Sequence, residues 1–222
     1  LSLRRQRQMC IRDRGDQVKE EELVEGMQEE DGHTHEEEHT HDDDLEYDEH
    51  VWLSLKNASL FCDTIASSLA DVDPEHSRLY QQNAEAYEEK LAALDQEYQT
   101  SVEKSQSKTL LFADRFPFRY LIDDYNLTYY AAFAGCSAET DASFETITFL
   151  AGKLDELKLP AVLTIENSDQ KVAKAVIENT NTKDQKILTL NSMQSVTTKD
   201  VEEGTTYLSI MENNLQILKE AL

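Results

Sequence analysis

The stretch TLLFADRFPFRYLIDDYNLTYYAAF, residues 109–133, decides the fold of this chain. It holds two short apolar runs, and the segment between them has helical spacing. The same alternation continues towards the end of the chain, and it is typical of parallel strands covered on both faces by helices. The predicted strands are Thr109–Ala113, Leu127–Phe133, Ala161–Ile165 and Lys186–Leu190, and the predicted helices are Phe118–Asp124, Ser143–Leu159, Asp169–Asn179 and Asp200–Leu222.

This pattern predicts an α/β lobe in which a parallel four-stranded sheet is flanked by helices. Right-handed crossovers would bring the carboxyl ends of all strands to one edge, where ligands of such sheets bind. The residues that follow the strands are therefore the candidates to line a cleft. They are Asp114-Arg115, Ala134–Glu139, Glu166-Asn167 and Asn191-Ser192.

A long helix is predicted before this lobe. Asp73 suits an N-cap, Pro74 suits the first helical position, and Glu75 favours the positive end of the helix dipole. Apolar residues then recur every three or four positions, so a helix over residues 74–102 would extend about 43 Å. A coiled coil is the alternative, but the stripe is short and two of its positions are small or polar-tipped. We predict a helix that lies across two lobes.

The other segments differ sharply in composition. Residues 1–14 are basic, unlike everything after them, and we interpret them as a non-native segment, with a genuine basic arm as the alternative. We expect the true N-terminus to be missing. The predicted division is a non-native segment 1–14, a remnant of an N-terminal lobe 15–31, a flexible His- and acid-rich loop 32–49, the end of that lobe 50–72, the linking helix 73–104 and the C-terminal α/β lobe 105–222.

The charge of the chain restricts its partners. The 222 residues carry a formal net charge of −24, which attracts cations and argues against nucleic acid, because little here would neutralise phosphates. No apolar run is long enough for a membrane span or a signal peptide. Cys10, Cys62 and Cys136 lack the spacing of a cysteine zinc site or redox motif. Two buried thiols are the favoured reading of Cys62 and Cys136, and a disulfide between them is the alternative.

The tract HTHEEEHTHDDDLEYDEH, residues 33–50, holds five of the six histidines and nine carboxylates. Imidazole nitrogen and carboxylate oxygen are ligands for a metal such as zinc. This composition suits a flexible, hydrated segment better than a packed core. The match of His35–His39 to H-E-x-x-H is expected by chance in such a tract, since no apolar face would bury a catalytic helix. The tract therefore predicts metal capture and not catalysis.

Several stretches resemble one family in the same order along the chain. Residues 47–54, YDEHVWLS, look like the D-P-H-x-W-L-S-P motif of zinc- and manganese-binding proteins that serve ATP-binding-cassette (ABC) importers, the metal-binding cluster A-I family. Residues 137–143 are similar to the stretch that enters a helix of that family's C-terminal lobe. Residues 160–166 and 171–175 resemble its next strand and helix. The similarity covers residues 32–222, and it implies two lobes joined by a rigid helix, with metal between them.

The resemblance also implies a set of metal ligands. His50 matches the family's second ligand, and the first lies in a lobe that is mostly absent here. The third, a histidine or glutamate, falls near Arg115, which stays protonated and cannot bind a metal. Asp114 could substitute if the strand end shifts by one residue, and an Asp114–Arg115 salt bridge that only shapes the cleft is the alternative. The fourth, an aspartate, falls near Asn191, a weak neutral donor. We assign metal capture by the loop to His33, His35, His39 and His41, and cleft lining to Arg115, Glu139, Glu166 and Asn191.

These observations predict an extracytoplasmic solute-binding protein, either periplasmic or a cell-surface lipoprotein, with the association with cell adhesion seen in the family. It would capture Zn²⁺, with Mn²⁺ as the alternative, and deliver the ion as a monomer to a membrane ABC permease. Tract imidazoles would lose affinity below about pH 6.5. A metal buffer or surface-interaction protein that uses only the tract is the second hypothesis, and a metallohydrolase is the third.

Overall fold

The computed structural model describes residues 47–134 and 141–222. After a short 3₁₀ turn at Val51–Leu53, two helices pack side by side, and the α/β lobe follows. In chain order the elements are α1 (Leu55–Val72), α2 (Ser77–Lys104), β1 (Thr109–Phe116), α3 (Arg119–Asp124), β2 (Thr128–Ala134), α4 (Phe144–Leu157), β3 (Ala161–Ile165), α5 (Lys171–Glu178), β4 (Lys186–Leu190), α6 (Thr198–Glu202) and α7 (Tyr207–Ala221).

The sheet of the described residues has the order β2-β1-β3-β4, and all of its pairs are parallel. The predicted fold class and all four predicted strands are therefore confirmed. Alternate residues of β1 enter different apolar clusters, because successive side chains of a strand point to opposite faces. Leu110 and Phe112 pack with α2 and α7, whereas Leu111 and Ala113 pack with α4 and α5.

The long helix α2 begins three residues later than predicted. Pro74–His76 form a 3₁₀ turn, and α2 starts at Ser77. Asp73 does not cap the helix with its side chain. It accepts hydrogen bonds from the Tyr80 hydroxyl and the His76 ring instead, at 2.7 and 2.8 Å. The hydroxyl of Tyr98, fully buried in α2, donates to the Met211 carbonyl oxygen at 2.7 Å and so ties this helix to α7.

The predicted helix Asp200–Leu222 is wrong in one respect, because two helices occupy this stretch. Gly204 adopts φ +94°, a conformation that favours glycine and ends the first helical segment. Thr206 then caps α7 through a reciprocal pair of hydrogen bonds with Ser209.

The apolar side chains at the start of the described chain and along α1 are only partly covered. Leu53 and Leu55 are buried, but Ile65 is 57% exposed and Leu69 is 44% exposed in the part of the chain that the structure describes. Within that part, no helix is both long enough and apolar enough to cross a membrane.

The strand β1 extends past its predicted end. Arg115 and Phe116 still pair with Phe133 and Ala134, after an irregularity in register beyond Phe112. Asp114 and Arg115 therefore lie within the last part of the strand and not in a loop after it. The pairing of β1 with β2 therefore constrains the backbone from which these two side chains extend.

Candidate metal centre

His50 is held by Asp48 just before the 3₁₀ turn at Val51–Leu53. The Oδ1 atom of Asp48 accepts hydrogen bonds from the His50 backbone N–H at 2.8 Å and from the ring Nδ1 at 2.7 Å. Both residues are almost fully buried, with 1% of His50 and 2% of Asp48 exposed. A buried carboxylate acts as an acceptor for the ring, so it fixes the proton of His50 on Nδ1. The Nε2 atom of the ring therefore presents a lone pair.

This lone pair faces the loop that follows β4. The side-chain nitrogen of Gln194 lies 2.7 Å from His50 Nε2. Because Nδ1 carries the ring proton, the amide of Gln194 is the donor and the ring nitrogen is the acceptor. The structure thus brings together two residues that are 144 positions apart in sequence.

Three further contacts fix the segment that carries His50. The Tyr120 hydroxyl donates to the Asp48 carbonyl oxygen at 2.8 Å. The Trp52 indole N–H donates to the Ser192 carbonyl oxygen at 3.0 Å, and the Tyr207 hydroxyl donates to the Trp52 carbonyl oxygen at 2.9 Å. The Trp52 ring also lies edge-on to the His50 ring, with 5.3 Å between the two centroids. The ring of His50 therefore has little freedom to turn.

Ser54 couples this segment to α3. Its hydroxyl oxygen accepts from the Asn57 N–H at the start of α1, and its own O–H donates to Asp124 at 2.6 Å. Burial raises the pKa of Asp124, although the hydrogen bond from Ser54 and the charge of Lys56 oppose that rise. The predicted D-x-H-x-W-L-S stretch is thus anchored at both of its ends.

Asp114 and Arg115 form the salt bridge that the sequence analysis gave as the alternative to metal binding by Asp114. The Arg115 guanidinium Nε lies 3.9 Å from Asp114 Oδ1, which also accepts the Arg115 backbone N–H at 2.8 Å. The second carboxylate oxygen, Oδ2, is buried and has no hydrogen-bond partner among the described residues. An ionised oxygen in that state is costly unless a donor or a cation reaches it. Asp114 therefore remains a chemically suitable cation ligand, and Arg115 shapes its surroundings.

Glu166, which the sequence predicted to line the cleft, binds the loop after β4. Its carboxylate accepts the Ser192 N–H and the Ser192 hydroxyl, each at 2.7 Å, and the Gln194 N–H at 3.1 Å. The Ser195 hydroxyl lies 3.4 Å away. These bonds fold the loop after β4 around the carboxylate, so Glu166 acts on the site through the loop.

Asn191 also makes hydrogen bonds that hold the loop after β4. Its side-chain oxygen accepts the Met193 N–H at 2.8 Å, and its backbone pairs with the side chain of the fully buried Asn214. The residue that reaches His50 is Gln194, three positions further on. Sequence reasoning missed Gln194 because a single glutamine in a loop carries no distinctive signal.

The remaining predicted site residues lie outside the described residues. They are His33, His35, His39, His41 and Glu139. Cys136 also lies outside them, and Cys62 is a half-buried free thiol of the described part, whose pKa is raised by burial. Within residues 47–134 and 141–222, no three His, Cys, Asp or Glu side chains converge to hold a metal ion. The described part therefore brings no complete set of metal ligands together around His50 or Asp114.

Comparison with known proteins connects this geometry to zinc uptake. The profile of the family described as zinc-uptake complex component A, periplasmic (ZnuA), matches residues 7–221. The zinc-binding lipoprotein AdcA of Streptococcus pneumoniae is 32% identical over 175 residues, which cover 79% of this chain and 34% of that protein. The high-affinity zinc uptake system protein ZnuA of Bacillus subtilis is 31% identical over 201 residues, which cover 90% of this chain and 61% of that protein.

Solved structures agree with these sequence matches. A Zn(II)-bound mutant variant of AdcAII from Streptococcus pneumoniae has a TM-score of 0.66 and 31% identity, covering 82% of this chain and 63% of that one. The Zn(II)-bound ZnuA-like domain of AdcA from the same species has a TM-score of 0.65 and 30% identity, covering 79% and 64%.

The chain spans about a third to three fifths of the length of the two curated relatives described above. Its match to the family nevertheless extends over nearly all of its own residues, and it includes the segment that carries His50 and the whole α/β lobe. The resemblance seen in the sequence is thereby confirmed. The chain belongs to the ZnuA family of periplasmic zinc-uptake components, which are solute-binding proteins and not a family of enzymes.

Proposed function

We propose that this chain is the metal-capturing part of an extracytoplasmic receptor that binds Zn²⁺ and hands it to an ABC permease. Capture and release require no bond of a substrate to be broken, so the proposal includes no catalysis. Zinc is the favoured ion because imidazole is the best-placed donor, and Mn²⁺ is the alternative because carboxylates accompany it. Relatives with zinc in their names and Zn(II)-bound neighbours support this choice.

One observation carries the proposal. His50 donates its Nδ1–H in a hydrogen bond to the buried carboxylate of Asp48, and its Nε2 atom faces the loop after β4. A carboxylate–histidine pair is the usual support for a zinc ligand, since it fixes the tautomer and raises the basicity of the ring. We therefore propose His50 Nε2 as a protein ligand of the transported ion.

Further ligands are proposed from the described part and from the tract. Asp114 is a candidate because one of its carboxylate oxygens is buried and has no hydrogen-bond partner among the described residues. The tract histidines His33, His35, His39 and His41 would gather zinc and raise its concentration near the cleft. The chain would act as a monomer.

The test compares three forms of the complete protein by titration calorimetry with ZnCl₂. The forms are the unchanged chain, a deletion of residues 33–44, and His50→Ala. The matched control is His76→Ala, since His76 also bonds an aspartate through Nδ1, at 2.8 Å, but is exposed at a helix junction. The proposal expects one tight zinc that survives the deletion and is lost in His50→Ala, with no change in His76→Ala.

The alternatives give other results. Loss of all binding on deletion of residues 33–44, with His50→Ala unchanged, would support a metal buffer that uses only the tract. Peptidase activity that disappears in Glu36→Gln would support a metallohydrolase. Either result would contradict the receptor proposal.

A further inference from the structure

Two carboxylates and one ammonium group meet where the end of α3 packs against α1 and α2. The side chain of Asp124, at the end of α3, is only 12% exposed, and Lys56 Nζ on α1 lies 3.2 Å from its Oδ1 atom. Asp95 on α2 is the second carboxylate, and it accepts a hydrogen bond from the Tyr125 hydroxyl at 2.9 Å. We call Lys56, Asp95 and Asp124 the Asp124 junction. At neutral pH these three residues carry one negative charge more than they balance.

The other groups that face Asp124 are neutral. Ser54, the residue before α1, donates its hydroxyl to Asp124 Oδ2 at 2.6 Å. Burial, and then nearby negative charges that include Asp124, raises the pKa of the Tyr125 phenol and of the Tyr207 phenol on α7, so both stay protonated. Among the described residues, Lys56 is thus the positive charge that lowers the cost of ionising Asp124.

We propose that the Asp124 junction is a pH-sensitive brace, which binds one proton as the pH falls and then holds the start of α1 more firmly against α3. This role goes beyond metal capture and does not depend on it. Burial has the largest effect on Asp124 and raises its pKa above the ordinary value, whereas the Ser54 hydrogen bond and the charge of Lys56 oppose that rise. The charge of Asp95 adds to it. Asp124 is therefore the group that takes up the proton.

Protonation of Asp124 removes a cost and keeps the contacts. A neutral carboxyl still offers an acceptor oxygen to Ser54, and Lys56 Nζ still donates to the Asp124 backbone carbonyl oxygen, at 3.1 Å. Only the charge of a carboxylate that is mostly shielded from water disappears. When the pKa of a group is higher in the folded than in the unfolded chain, the folded state binds more protons, so the fold gains stability as the pH falls through the folded value. The brace therefore tightens in acid.

The brace acts on the segment that carries His50. Ser54 accepts the Asn57 N–H at 3.0 Å, and the Asn57 side chain donates to the Val51 carbonyl oxygen at 3.3 Å. The contact between Asp124 and Ser54 thus continues into the 3₁₀ turn that directly follows His50. Acid protonates exposed imidazoles and so weakens their binding of metal. Under the same conditions the brace would keep this segment in place, so metal could leave without local unfolding.

The brace is tested on the complete chain by two measurements across a range of pH. Carboxyl ¹³C NMR gives the protonation midpoint of Asp124, and amide hydrogen exchange at Asn57, corrected for the intrinsic rate, reports how firmly the start of α1 is held. In the unchanged chain the corrected exchange should slow several-fold as the pH falls through the Asp124 midpoint. In Asp124→Asn it should not depend on pH, because no charge is left to remove. Corrected exchange that is independent of pH in the unchanged chain, or an Asp124 midpoint at or below the ordinary value of 3.8, would overturn the proposal.

Three further variants separate the effect of charge from that of packing. Lys56→Met removes the positive charge and should move the Asp124 midpoint to higher pH. Asp95→Asn removes the second carboxylate, keeps an acceptor for Tyr125, and should move the midpoint to lower pH. Lys56→Arg keeps the charge and should restore the midpoint of the unchanged chain. The same midpoint in Lys56→Met, Asp95→Asn and the unchanged chain would refute the brace, since these contacts would then serve packing alone.

Asp73→Asn is the matched control. Asp73 also accepts a hydroxyl hydrogen bond, from Tyr80, but hydrogen bonds from Tyr80 and then His76 lower its pKa, so its contribution to stability has the opposite dependence on pH. Asp73→Asn should leave both the Asp124 midpoint and the pH dependence of exchange at Asn57 unchanged. Loss of that pH dependence in Asp73→Asn would show that acid acts on the whole pair of helices, and the brace would be refuted.

Discussion

Trp52 donates its indole N–H to the Ser192 carbonyl oxygen at 3.0 Å and so joins two segments that are 140 residues apart. One segment carries His50, and the other is the loop that carries Gln194. Because Ser192 is fully buried, water cannot replace the indole as the hydrogen-bond donor to its carbonyl oxygen. The hydrogen bond of this indole therefore adds to the direct contact between Gln194 and His50 in holding the two segments together.

Trp52→Phe should loosen this connection. Phenylalanine keeps an aromatic ring but lacks the N–H, which leaves the buried Ser192 carbonyl unpaired, at a cost of about 1–3 kcal/mol in the free energy of unfolding. Urea denaturation measures that cost. Tyr207→Phe is the control, because it removes the bond to the Trp52 carbonyl oxygen and leaves the Ser192 carbonyl paired. Equal hydrogen exchange of the Gln194 amide in Trp52→Phe and Tyr207→Phe would contradict the assigned role.

Asp48→Asn should weaken zinc binding by about 10- to 100-fold, the usual effect of losing the carboxylate behind a zinc-binding histidine. Asparagine has the same shape but lacks the charge that supports a proton on His50 Nδ1. Competition with a chelator of known affinity measures the change. Asp73→Asn is the matched control, since Asp73 bonds His76 in the same way outside the site. Equal affinities of the two variants would refute the role of Asp48.

Glu166→Gln should disorder the loop after β4. An amide has one acceptor oxygen in place of two. The N–H groups of Ser192 and Gln194 donate to different carboxylate oxygens, so the NH₂ group would face one of them and leave it unpaired. We expect a loss of about 1–3 kcal/mol in the free energy of unfolding and faster amide exchange at these two residues. Glu156→Gln is the control, because Glu156 is exposed and bonds only the Lys153 side chain in the described structure. Unchanged exchange in Glu166→Gln would mean that the carboxylate does not hold the loop.

The stability of the junction between α1 and α2 should fall in acid, when Asp73 becomes protonated. Hydrogen bonds from Tyr80 and then His76 lower the pKa of Asp73 below its ordinary value of 3.8. A lowered pKa in the folded state stabilises the fold above the unfolded value, and this contribution is lost as the pH falls through the folded pKa. Tyr80→Phe should shift the pKa of Asp73 upward, as measured by NMR titration of its carboxyl carbon. A midpoint that does not move in Tyr80→Phe would contradict the assigned cause.

The strands were predictable because each is an apolar run with few polar residues, whereas the end of β1 was not. Arg115 and Phe116 are held in the sheet by pairing with Phe133 and Ala134, a contact between segments that local sequence does not reveal. The break before α7 depends on the left-handed conformation of Gly204, which a helical apolar pattern can conceal.

The residues of the candidate site also fall into those that the sequence predicted and those that it did not. His50 could be found because it stands in a motif with ligand chemistry and a neighbouring acid. Gln194 could not, because its position depends on bonds to the loop from Glu166 and Asn191, which follow two different strands of the sheet. Glu166 was predicted to line the cleft, and in the structure its carboxylate accepts hydrogen bonds from four donors of the loop after β4. Polar residues after strands thus predict where a site lies better than which atoms face it.

The ring ¹⁵N spectrum of His50 during addition of one equivalent of ZnCl₂ shows directly whether this ring binds the metal ion. The account predicts that the Nε2 resonance shifts to a coordinated position while Nδ1 remains protonated against Asp48. If calorimetry shows that one zinc is bound tightly and the Nε2 resonance of His50 does not move, the metal is held elsewhere and the account is contradicted.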